Sequence, residues 1–172
     1  MCYRLGAIGV GLALLGGPAL ARIDLVATGF YCSPDPSRVA IPLDDTIGGR
    51  MWRLDMATLP PQRGTIVPSA LGVSFGVFFE TTGSPGSLDV RLTHPPLGDE
   101  DQTLQTWRLE DVFAGTMKGA AYTLDTEGEL ATGDWTFDIR KGTRTVLSQT
   151  FTLVDGDDAE DLLSTCEMED RE

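Results

Sequence analysis

A single histidine, His94, opens the stretch "HPPLGDEDQ", with Asp99, Glu100 and Asp101 a few residues further on. One imidazole beside three carboxylates could serve general acid–base hydrolysis or hold a cation loosely. Nucleophilic catalysis would have to be built around that one ring, and the chain contains neither a nucleophile elbow nor a catalytic cysteine motif. Hydrolysis by two carboxylates needs placement, which an abundance of acids does not supply. The simpler role for His94 is to cap the end of a strand, locked by Pro95 and Pro96. A second acidic run, "DGDDAED" from Asp155, lacks the alternating Asp/Asn positions, central Gly and closing Glu of a calcium loop. No metal and no other cofactor is expected.

Three further groups invite a function. Cys32 and Cys166 are the two cysteines beyond the N-terminal leader described below, and in an oxidising compartment two thiols more often pair than stay free. Trp52 and Trp107 are the tryptophans to watch; the alternation around "LQTWRLEDV" is blurred, so Trp107 is a candidate surface anchor, although core filling is preferred. His94 and Trp107 are thus the two side chains offered as surface contacts. Arg140, Lys141 and Arg144 cluster at a hairpin tip in an otherwise acidic chain, a charge arrangement that could dock an anionic partner and is ordinarily just solvated.

The elements that must carry these residues read as strands. In "GVSFGVFFETTG", Val73, Phe75, Val77 and Phe79 alternate with Ser74, Gly76 and Glu80, and only Phe78 breaks the pattern. Leu88, Val90 and Leu92 alternate likewise with Asp89, Arg91 and Thr93. Trp135, Phe137 and Ile139 do so again, followed by a Lys141-Gly142 turn and by Leu147, Phe151 and Leu153. Period-two alternation of this kind predicts strands with one wet face, joined by tight turns. Weaker strands are predicted from Arg22, Arg50, Gln105 and Gly119. Residues 33–69, rich in proline, read as a long irregular crossing with one short edge strand, and "DAEDLLSTCEME" as a helical turn or two. The expectation is an all-β immunoglobulin-like β-sandwich of about seven antiparallel strands.

The two ends bound the setting. Arg4 followed by "LGAIGVGLALLGGPALA" is the pattern of a secretory signal peptide, with cleavage expected between Ala21 and Arg22. The run is short, Gly-rich and broken by Pro18, which disfavours a membrane anchor. Residues 1–21 are therefore read as leader, 22–154 as the domain and 155–172 as an acidic C-terminal tail. The full chain has 172 residues and a net charge of −13. Such a surface repels nucleic acid and anionic lipid, so neither is expected as a partner, nor is membrane insertion after the leader is removed. Localisation is expected to be periplasmic or secreted.

"GVSFGVFFE", "RLTHPPL", "YTLDTEGEL" and "GDWTFDIRKG…TFTLV" together resemble the uncharacterised bacterial family known as domain of unknown function 3859, over roughly Ile23 to Val154. The resemblance rests most on Phe75-Gly76, His94-Pro95-Pro96 and the Gly133, Trp135, Phe137 hairpin. It implies an immunoglobulin-like sandwich in an exported bacterial protein and implies no activity. The preferred expectation is a non-enzymatic binding or structural module of the cell envelope, with another envelope protein as partner. The alternatives are a carboxylate-dependent envelope hydrolase, and a weak cation-binding or solubility-type structural protein.

Overall fold

A computed structural model describes residues 22–32, 40–42, 47, 49–52, 62–98 and 101–169. The long alternating stretches become β6 (Ser74–Thr81), β7 (Gly86–Leu97), β10 (Gly133–Lys141) and β11 (Arg144–Asp155). The weaker ones become β1 (Ile23–Tyr31), β3 (Arg50–Trp52), β8 (Gln102–Val112) and β9 (Met117–Thr123). The proline-rich crossing holds more strand than expected. It adds β2 (Ala40–Pro42), β4 (Gln62–Arg63) and β5 (Ile66–Ser69). Eleven strands among the described residues replace the expected seven, because short pieces of the crossing find ladder partners that no local pattern announces.

The strands form a four-stranded sheet ordered β4-β1-β6-β9 and a five-stranded sheet ordered β5-β11-β10-β7-β8, with β2 and β3 paired separately. One pair departs from the antiparallel expectation. β5 runs parallel to β11, with Thr152 opposite Ile66 and Asp155 opposite Ser69. The chain leaves the first sheet after Arg63, pairs with β11, and returns through residues 70–73 to begin β6. The parallel neighbour of the last strand is thus β5.

The facing sheets enclose one core, and Phe75 of β6 stands at its centre. Its ring meets Trp135, Phe137, Phe151 and Tyr122 edge-on, with centroids 5.3 to 6.5 Å apart. Edge-to-face contacts of this kind add to the stabilisation from area burial. Phe78, which broke the alternation, lies on the opposite face of β6, where Tyr31 covers it at 6.4 Å. Gly76 is required by close approach: a Cβ there would lie 2.2 Å from the Ala120 carbonyl oxygen.

Helix α1 (Glu160–Glu169) follows a 3-10 turn at Asp157–Ala159 and runs for ten residues, longer than the turn or two expected. Ala159 is buried and Leu162 packs on the core. The start of the acidic segment is therefore fixed to the body of the domain. The leader residues 1–21 lie outside the described residues.

Candidate functional site

Strand parity decides which polar groups turn inward. On β7, His94 shares the face of Leu88, Val90 and Leu92; on β8, Gln105 shares the face of Trp107. Residues two apart on a strand line one face, so both polar side chains are delivered to the core. β7 continues through Pro95 and Pro96 to Leu97, so His94 sits within the strand and does not cap its end. The prolines are accommodated because β10 pairs with β7 only as far as Thr93, and the register with β8 shifts between Thr93 and Leu97.

His94 is 4 % exposed and its ring lies against Trp135, centroids 4.8 Å apart. Neither it nor Trp107, which is 6 % exposed and edge-on to Phe137, is a surface contact. The hydrogen bonds select one arrangement of the imidazole. Nδ1–H donates to the Pro95 carbonyl at 2.8 Å, leaving Nε2 to accept from the Gln105 amide at 3.2 Å. The Gln105 oxygen in turn accepts from the Ile47 backbone N–H at 3.1 Å. Burial holds the His94 pKa below the ordinary histidine value, against the opposing pull of the Pro95 hydrogen bond and the Glu129 charge.

A carboxylate completes the cluster. Between β9 and β10 the chain makes a 3-10 turn at Glu127–Glu129, and Glu129 reaches back over it. Its Oε2 accepts from the backbone N–H groups of Asp125 and Thr126 at 2.9 and 2.8 Å and from the Thr126 hydroxyl at 3.0 Å. Its Oε1 accepts a short hydrogen bond from the Tyr122 hydroxyl. Burial raises the Tyr122 pKa above its ordinary value, and the adjacent Glu129 charge adds to this. Tyr122 also lies against Trp135, centroids 5.5 Å apart. Trp135 thus contacts the rings of both His94 and Tyr122, and its own Nε1–H donates to the Ala131 carbonyl at 3.1 Å.

Sequence reasoning missed Gln105, Tyr122 and Glu129. The signal for Gln105 was parity with Trp107; Glu129, in a charged loop, offered none. Of the acids expected near His94, Asp99 and Glu100 lie outside the described residues, and Asp101 is exposed in a turn. The Trp52 and Cys166 side chains also lie outside them, while Cys32 is half-buried and packed on the core. Among the described residues no group of three or more His, Cys, Asp or Glu side chains is placed to hold a metal ion. At the hairpin tip, Lys141 is committed to the carbonyls of Pro85 and Ser87, and Arg140 donates to the Thr143 carbonyl at 2.9 Å.

The family model for Domain of unknown function (DUF3859) matches residues 26–153. The chain belongs to this family. The match spans both sheets and every member of the His94–Glu129 cluster. An immunoglobulin-like protein from Pseudomonas aeruginosa, known from a crystal structure at 1.50 Å resolution, superposes with a TM-score of 0.53 at 18 % identity, covering 81 % of this chain and all of that one. That likeness establishes the immunoglobulin-like fold. No curated protein matches the chain.

Proposed function

We propose that this member of the family is an exported, non-enzymatic immunoglobulin-like module that binds another protein of the cell envelope. One observation carries the reading: the groups best suited to move protons, His94, Tyr122 and Glu129, are tied to backbone and to one another inside the core. A catalytic acid or base must come within hydrogen-bond reach of a substrate proton. Groups locked behind Trp135 instead stabilise the joint between the sheets. What is left for function is the outer surface of a rigid sandwich, and the sequence of the leader directs that surface to the envelope.

In-cell crosslinking of the full-length exported protein, followed by mass spectrometry, tests this. A reproducible envelope partner is expected. Repeated recovery of no partner, with the purified protein monomeric, would overturn the reading.

A further inference from the structure

The inward parity that buries Val90, Trp107 and Ile139 turns Asp89, Arg91, Arg108 and Arg140 to the outer face of the five-stranded sheet. Register aligns them in rows across β10, β7 and β8. Arg140 stands opposite Asp89, which stands opposite Arg108; in the next row Asp138 stands opposite Arg91. Together the three arginines line an open groove of about 640 Å³, with Gly142 of the hairpin also in its wall. Asp89 is paired with Arg108 at 2.9 Å, while Arg91 and Arg140 make no ion pair among the described residues. Arg140 Nε is also buried there without a hydrogen-bond partner. A buried donor left unmatched is costly and marks a place where a ligand acceptor would be gained.

We propose that this groove binds an acidic peptide segment of a partner protein through carboxylates spaced along an extended backbone. The proposal rests on the binding reading above and assigns its face and its ligand chemistry. Spacing favours such a ligand over a single phosphate. Neighbouring strands are about 4.8 Å apart, so the arginines of β10 and β8 start about 10 Å apart with Asp89 between them. A compact dianion placed to reach both would sit over that carboxylate. Separate carboxylates avoid it and can each take a guanidinium in two-pronged fashion. A long polyanion is disfavoured by the net charge of −13 on the rest of the chain.

The test uses the full-length purified protein and a fluorescent octapeptide of alternating Glu and Ser, read by anisotropy, with a Gln-Ser octapeptide as control. The Glu-Ser peptide is expected to bind, more tightly at low salt, and the R91Q/R140Q double variant to lose about tenfold or more in affinity. The Arg91 side chain makes no hydrogen bond or ion pair among the described residues, so R91Q alone, expected to weaken binding without changing the melting temperature, guards against a folding artefact. R63Q, on the other sheet, should bind as the parent does. Equal binding of the Gln-Ser peptide, unchanged binding by R91Q/R140Q, or tighter binding of inorganic phosphate or a single-stranded oligonucleotide would each overturn the proposal. The in-cell crosslinking repeated with R91Q/R140Q separates the two readings. A partner still captured sinks the groove assignment and leaves the binding reading standing, while an empty capture by the parent protein sinks the binding reading and leaves the peptide titration to decide the groove.

Discussion

Glu129 is a focus of polar contacts inside the core. Four donors converge on its two oxygens, and the residue is 1 % exposed. Replacing it leaves those donors facing a cavity, and each unsatisfied buried group costs about 1–3 kcal/mol. Glu129→Ala is therefore expected to lose about 3 kcal/mol or more of unfolding free energy, measured by urea titration, with the far-ultraviolet spectrum retained. His94 supplies a pH signature. Its folded pKa is depressed, so below the ordinary value of 6.5 the unfolded chain binds a proton that the folded chain refuses. Stability is then full above that pH and falls as the pH drops through it. The groups that act on the ring from other elements, Gln105 by its hydrogen bond and Glu129 by its charge, remain in a His94→Gln variant. That variant is expected to be less stable at neutral pH and to show a flatter decline between about pH 6.5 and 5. A histidine resonance titrating at or above 6.5 in the folded protein would contradict this.

At the scale of elements, legibility follows from whether a strand has one wet face. β7, β10 and β11 alternate because their outer faces meet water, and their sequence patterns are those of the burial pattern itself. β6 was legible only in part, because Ser74, Gly76 and Phe78 on its second face are buried too. The short strands β4 and β5 owe their existence to partners far along the chain, β5 through a parallel ladder to residues more than 80 positions away, whereas β2 pairs with the nearby β3 and is simply too short to show an alternation. α1 hid for the opposite reason: "EDLLSTCEME" has too few apolar residues to draw a helical stripe. In the buried cluster, His94 and Gln105 could be placed by parity, whereas Glu129 depends on how one turn folds back. Gly76 tests how tightly β6 and β9 are joined. A Cβ at that position would come within 2.6 Å of Ala121 Cα as well as against the Ala120 carbonyl. Backbone cannot yield as a side-chain tip can. Gly76→Ala is expected to cost about 3 kcal/mol, at the upper end of overpacking effects, and to speed amide exchange along the β6–β9 ladder first.

For the whole molecule, the deciding question is how its two ends are held. Tyr31, the last residue of β1, pairs with Ser74, and Asp155, the last of β11, pairs with Ser69. Ser69 and Ser74 are joined by the four residues of a single turn, within which the Val73 N–H donates to the Ala70 carbonyl at 3.2 Å. Although β1 and β11 belong to different sheets, this turn brings Cys32 and the entry to α1 to one edge of the sandwich. A Cβ added at Gly156 there would lie 3.6 Å from Leu163 Cδ1 and 3.8 Å from the Ser69 carbonyl oxygen. A bridge between Cys32 and Cys166 would then close a loop of about 134 residues and clamp α1 over the open end of the core. Chain-entropy reasoning gives loops of this length about 4 to 5 kcal/mol, most of it through the unfolded state. The prediction joins topology to compartment. Protein recovered from the envelope should begin at Arg22 and show, in non-reducing peptide mapping, one linked pair containing Cys32 and Cys166. Cys166→Ser should lower the melting temperature by roughly 10 °C or more, at about 2–4 °C per kcal/mol for a domain of this size. Reductant should shift the parent toward the variant and leave the variant itself unmoved. An unchanged melting temperature in Cys166→Ser would show that packing of Ala159 and Leu162 alone holds the segment.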